Sequence, residues 1–116
     1  MKRQRAEHEG RTAEDSAMAW LEQRGWRILD RRRKTPLGEI DIIARDGDVI
    51  VFVEVKWRRL PQDLDHAIDA YRLRRVVAAA NAVAHEYAEP QQDLRIDVLL
   101  LAPGQEPRHI VNAGMA

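Results

Sequence analysis

Two acids and a lysine, Asp41, Glu54 and Lys56, stand inside a run of Ile, Val and Phe in the stretch from Gly38 to Arg59, GEIDIIARDGDVIVFVEVKWRR. An ionised group is costly to bury in an apolar strand unless it is paired or holds an ion, so charges at these positions require a reason. Glu39 adds a further carboxylate to the stretch. Converging carboxylates repel one another unless a divalent cation sits among them. Ligation by oxygen alone suits Mg²⁺ or Mn²⁺, which keep several waters and take up phosphate oxygens. A lysine two residues after the glutamate on one strand points into the same site. There it can orient or help deprotonate an attacking water, or neutralise charge on a phosphate, the division of labour in metal-assisted phosphodiester hydrolysis. The competing explanation is an ion pair of Lys56 with Glu54 or Asp41 at a partly wet end of a sheet. Glu39 reads either as a third ligand or as a solvated residue at a strand start.

The element that must position these groups is a hairpin. Asp46-Gly47 is the pair that accepts the positive φ values of a tight turn. A loop of these two residues, or of Arg45 to Asp48, sets Ile43 opposite Ile50, Asp41 opposite Phe52 and Glu39 opposite Glu54. Side chains alternate along strands, so Glu39, Asp41, Glu54 and Lys56 then share one face, at the hairpin end away from the turn. The other face, Ile40, Ile42, Val49, Val51, Val53 and Val55, is wholly apolar. That pattern predicts a sheet buried by helices on one side and carrying a polar site on the other.

With 116 residues, the chain suits one domain with a single core. Charged residues make up 33% and the longest apolar runs fall well short of the ~20 residues of a membrane span, which gives no reason to expect a membrane protein. The start, MKRQRAEHEG, has no apolar segment of secretory type, and without cysteine there is no disulfide, thiolate metal site or cysteine nucleophile. A cytoplasmic location is the expectation. The formal net charge of +0 hides local clusters: Arg31, Arg32, Arg33 and Lys34; Arg58 and Arg59; and Arg72, Arg74 and Arg75. The first two flank the charged end of the hairpin, a disposition suited to a polyanion approaching acids, although arginine runs are commonly solvated faces.

Along the chain, residues 1–9 read as a frayed polar start. Thr12-Ala13-Glu14-Asp15 resembles a helix start, Ala13, Ala17, Trp20 and Leu21 form its buried stripe, and Gly25 stands where a left-handed cap is wanted. Trp26 to Asp30 reads as a short strand, followed by the basic run and then the hairpin, as an antiparallel meander. A long amphipathic helix begins between Leu64 and Ala70 and ends before Pro90, with Leu73, Val76, Val77, Ala80, Ala84 and Tyr87 on its apolar side. Leu94 to Leu101 is a strand, and a last short one lies near His109 to Asn112. The order αβββαββ permits a parallel crossover between the third and fourth strands and hence a mixed sheet. Asp97 is expected either to face solvent or to pair with an arginine and receives no chemical role, and His8, His66, His85 and His109 are expected at ordinary surface positions.

The segments GEIDIIA and VFVEVKxR, together with Gly10-x-x-Ala13-Glu14 upstream and Arg95 to Val98 near the end, resemble the YraN-type bacterial family, whose fold is similar to PD-(D/E)XK nucleases such as Holliday-junction resolvases and restriction endonucleases. The resemblance covers nearly the whole chain. It implies an α/β, restriction endonuclease-like mixed sheet flanked by helices, with metal ligation by Asp41 and Glu54, Lys56 as catalytic lysine and Glu14 as a supporting acid. The basic run departs from an Asn-aromatic-Arg segment of many relatives, and Arg72 stands where lysine is frequent. Two functions follow: a Mg²⁺- or Mn²⁺-dependent endonuclease on DNA, including branched or damaged duplex, or a nucleic-acid-binding module that retains the nuclease fold without turnover. A weaker third is a scaffold whose hairpin charges serve a homodimer interface.

Overall fold

The computed structural model describes the backbone of residues 2–114 and the side chains of residues 12–114. Helix α1 spans Lys2–Gln23, so it begins well before Thr12. Residues 2–9 are rich in Lys, Arg, Gln, Ala and Glu, all good helix formers, and the single Gly10 costs only about 1 kcal/mol. The expected fraying thus finds helical backbone at 2–9, while Met1 and the side chains of 1–11 lie outside the described residues. At the other end, Trp26 N donates to Leu21 O and Gly25 N to Glu22 O, at 3.1 and 3.0 Å, and Gly25 takes the left-handed φ of 88° that this Schellman cap requires.

The strands β1 (Arg27–Thr35), β2 (Gly38–Asp46), β3 (Val49–Trp57), β4 (Leu94–Leu101) and β5 (Arg108–Ile110) form one sheet in sequence order. Only the β3–β4 pair is parallel. Its crossover runs through a 3-10 turn at Pro61–His66 and helix α2 (Ala70–Val83), whose first turn is capped by the Asp69 carboxylate, bonded to Tyr71 N and Arg72 N. The basic run lies inside β1 rather than after it. Pairing with β2 through Thr35 and Gly38 extends the strand past Asp30, with a register shift between Ile28 and Asp30. Hydrogen bonds to a neighbouring strand thereby outweigh the polar character of four successive basic residues.

Both faces of the sheet are covered. Ala13, Ala17 and Leu21 of α1 pack with Ile42, Ala44, Val51, Val53, Leu99 and Leu101; Ala79, Ala80 and Val83 of α2 pack with Ile40, Ile43, Ile50 and Phe52. The charged groups therefore meet side chains from both helices, Glu14 of α1 and Arg72 of α2, and the expectation of helices on one side of the sheet and a polar face on the other is corrected. The hairpin loop is Gly47-Asp48, since Asp46 pairs with Val49, and Ile43 faces Phe52 rather than Ile50. Gly47, with φ 60°, takes the first loop position instead of the second. The shift is by two residues, so parity survives it. Ile40 breaks the alternation: it packs with Ile43 under α2, away from its expected partner Ile42. Asp41 sits at that break.

Candidate metal and nucleic-acid site

At the break in β2 the Asp41 side chain reaches the backbone of β3. Its Oδ2 accepts a hydrogen bond from Val55 N at 2.8 Å, satisfying a backbone donor of β3. Opposite, β1 pairs Arg31 with Ile42 and Arg33 with Ile40, and Arg32 between them takes a φ of 50°. A left-handed non-glycine residue costs about 1–2 kcal/mol. The charge-assisted bond from Arg32 Nε to Glu14 Oε1, 2.8 Å, offsets that cost and fixes Glu14 of α1. Glu14, Glu39 and Asp41 consequently offer carboxylate oxygens all within 4.8 Å of one another. Glu39 thus lies at the exposed edge of this group, next to the buried Asp41.

Glu54 stands on the neighbouring strand, only 2% exposed. Its Oε1 accepts from Arg72 Nε at 2.7 Å and pairs with Lys56 Nζ at 3.2 Å. Its Oε2 is buried and has no hydrogen-bond partner among the described residues. A buried carboxylate oxygen without a partner is expensive, and a hard cation is the kind of ligand that would remove the cost. Asp41 is buried as well. Burial first, then the Glu54 charge, push its carboxyl up to about 8 from an ordinary 3.8, with Glu14 adding and Arg72 and the Val55 N–H opposing. Arg72 itself is held further into its charged range by the bond to Glu54. The donor set, oxygen only and anionic, fits Mg²⁺ or Mn²⁺.

Among the sequence candidates, Asp41, Glu39 and Glu14 are brought together and Glu54, Lys56 and Arg72 form a second group beside them. The basic run is mostly committed to the protein's own acids. Arg31 pairs with Asp15 at 3.2 Å, Arg32 with Glu14, and Arg33 makes two bonds to Glu86, 2.6 and 2.9 Å, with a third to Tyr87 Oη. Lys34 is exposed. Arg58 donates to Trp57 O, and Arg59 is exposed with contacts of its own.

One polar cluster escaped the sequence reading. Asp97 is fully buried, with Oδ1 accepting from Arg95 Nε and Asn112 N and Oδ2 from Arg95 Nη2; His109 Nε2 is 2.7 Å from Oδ2. His109 in turn lies edge-on to Trp20 and Trp26, so it is not the surface group expected, while Asp97 takes the arginine pairing rather than the solvent-facing alternative. The signal was available: Asp97 has the parity of Leu99 and Leu101 in an apolar strand, the same argument that singled out Asp41.

The sequence profile of the Uncharacterised protein family UPF0102 matches residues 13–101. Similar chains include a UPF0102 protein of Erythrobacter litoralis, 60% identical over 113 residues and 97% of each chain, and one of Sphingopyxis alaskensis, 54% identical over 112 residues and again 97% of each. Among solved structures, Hjc, a Holliday junction resolvase from Archaeoglobus fulgidus, superposes with a TM-score of 0.59 at 20% identity, covering 84% of this chain and 72% of Hjc. The mixed five-stranded sheet flanked by helices is thus a restriction endonuclease-like fold.

Proposed function

Since this chain belongs to the UPF0102 family, the YraN-type family, and folds like a Holliday junction resolvase, we propose that it is a divalent-metal-dependent endonuclease that hydrolyses DNA phosphodiester bonds, on branched or damaged duplex among its substrates. The observation that carries the reading is the unpartnered Oε2 of a buried Glu54, whose charge also raises the pKa of the buried Asp41. Asp41, with Glu54 and with Glu39 and Glu14 of the adjoining cluster, would hold Mg²⁺ or Mn²⁺. Bound there, the cation would polarise the phosphate and lower the pKa of a water. The chain's own residues do the rest. Lys56, its Nζ held at 3.2 Å by Glu54, is positioned to orient the attacking water or to neutralise charge that builds on the phosphate. Arg32 keeps Glu14 in place. Arg72, half-exposed, can leave Glu54 for a phosphate oxygen.

A second reading is favoured by one specific feature. Two cations, Arg72 and Lys56, already compensate Glu54, so charge balance alone does not demand a metal there. A nucleic-acid-binding module without turnover has the same residues. Lys56→Ala separates the two, because the lysine acts chiefly as charge develops in the transition state whereas DNA affinity is spread over many phosphate contacts. With Mg²⁺ or Mn²⁺ on supercoiled, linear and four-way-junction DNA, cleavage should fall on the order of 10²–10³-fold while affinity stays nearly intact. Asp41→Asn should also stop cleavage, with partial rescue by excess Mn²⁺. Wild type that cuts no faster than a folded Lys56→Ala on every DNA form removes the enzyme and leaves the module.

A further inference from the structure

Tyr71 is the most exposed of the large hydrophobic side chains, 60% accessible at the first turn of α2. The helix buries Val76, Ala79, Ala80 and Val83, and the ring takes no part in that stripe. Arg74 and Arg75 flank it, each guanidinium carbon 6.0 Å from the ring centroid. Beside the ring opens a cleft of about 390 Å³ lined by Gly38, Glu39, Tyr71, Arg72 and Arg75. Arg75 is anchored at its rim by a bond from Nε to Leu37 O at 3.2 Å. The cleft is continuous with the acidic site through two residues: Glu39 belongs to the three-carboxylate cluster, and Arg72 bonds Glu54.

Phosphate recognition would be served by the arginines alone. An exposed ring among them adds a flat apolar face, which is useful to a ligand with a flat apolar face of its own. We propose that this cleft holds one unpaired nucleotide of the nucleic acid, its base stacked on Tyr71 and its flanking phosphates on Arg72 and Arg75. The inference rests on the nuclease reading and narrows its substrate. A base inside an intact duplex has both faces occupied by its neighbours, so only a nucleotide at a flap, bulge, strand end or branch point can lie on the ring. Seated there, the nucleotide places the adjoining phosphodiester toward Glu39 and Asp41, which makes the first paired or unpaired bond next to the discontinuity the one presented to the acids. The volume is in the range of small-ligand sites, which suits one nucleotide rather than a groove-filling duplex.

The test uses the full-length protein in buffer with EDTA, so that hydrolysis does not interfere. Fluorescence anisotropy compares two oligonucleotides, a continuous duplex and the same duplex carrying one unpaired nucleotide, for wild type, Tyr71→Ala and Tyr71→Phe. Base–aromatic stacking of ordinary strength gives wild type a preference on the order of tenfold for the DNA with the unpaired nucleotide. Tyr71→Ala loses the preference while holding its duplex affinity, and Tyr71→Phe, which keeps the ring, retains it. Equal binding of the two DNAs by wild type, or a preference that survives in Tyr71→Ala, overturns the inference and leaves the nuclease reading standing. Binding of neither DNA overturns the inference, whereas the nuclease reading is overturned by the cleavage comparison with Lys56→Ala. Tyr71 is solvent-facing, so its replacement leaves the core intact, and unchanged melting of the variants verifies this.

Discussion

If the cluster takes up a divalent cation, it must first lose a proton, and the raised Asp41 pKa gives the size of the effect. A carboxyl that titrates at about 8 is on the order of 90% protonated at pH 7, so cation and proton compete for it. The apparent Mn²⁺ affinity should then rise about tenfold per pH unit between pH 6 and pH 7 and level off above pH 8, roughly 1.4 kcal/mol per unit of pH. Titration calorimetry in two buffers of different ionisation enthalpy should show nearly one proton released per cation at pH 7 and little at pH 9. The metal-free protein carries the complementary signature. Because the folded pKa lies above the unfolded 3.8, the folded state binds the extra proton between roughly pH 4 and pH 8. The stability contributed by Asp41 is complete below pH 4 and is lost as pH rises to about 8, an upper bound on the order of 5 kcal/mol for this group. Asp41→Asn, which has no proton to lose, should remove that slope. A Mn²⁺ affinity that is flat from pH 6 to pH 8, with heats independent of buffer, refutes the reasoning.

Replacing Arg72 by Ala removes the competitor at Glu54 Oε1, so Mn²⁺ should bind several-fold more tightly, as calorimetry would register. The metal-free melting temperature should drop, by less than the ~3–5 kcal/mol of a fully buried pair because Arg72 is half-exposed. Asp97→Ala strands the Arg95 guanidinium and the Asn112 N–H and should cost about 3–5 kcal/mol in denaturant unfolding. A Cβ on Gly114 would stand 2.8 Å from Ile96 Cβ and 2.9 Å from a Val77 methyl, so Gly114→Ala should lower stability by about 1–3 kcal/mol, measured the same way.

The hairpin was legible because charges in an apolar run can be explained in few ways, and parity survives any even error in register. The loop's identity was not legible, since Asp46-Gly47 and Gly47-Asp48 both suit a tight turn and only pairing across the strands selects one. Ile40 shows the limit of strict alternation. Its face depends on the irregularity at Arg32 and Asp41, and nothing in the residue types announces a left-handed arginine. The partners of the basic run were equally hidden, because Glu86 and Tyr87 meet Arg33 only after the α2 crossover has brought distant chain together. The three-carboxylate cluster needed α1 and β2 in place, whereas Glu54 and Lys56 could be paired from spacing alone.

The docking of His109 against Trp20 and Trp26 bears on the order in which the site is completed during synthesis. α1 leaves the ribosome first, yet its C-terminal end also contacts the last edge strand of the sheet through His109 of β5, and the preceding loop through the bond from Trp20 Nε1 to Glu106. Asp97, on which His109 rests, is capped by Asn112 N only later still. A nascent chain that has emerged as far as β3 already carries Asp41, Glu54 and Lys56 and the Arg32 that holds Glu14, but it lacks Arg72 and the His109 contacts to the end of α1. The three-carboxylate cluster therefore depends only on the first half of the chain, whereas the bond from Arg72 to Glu54 must wait for α2.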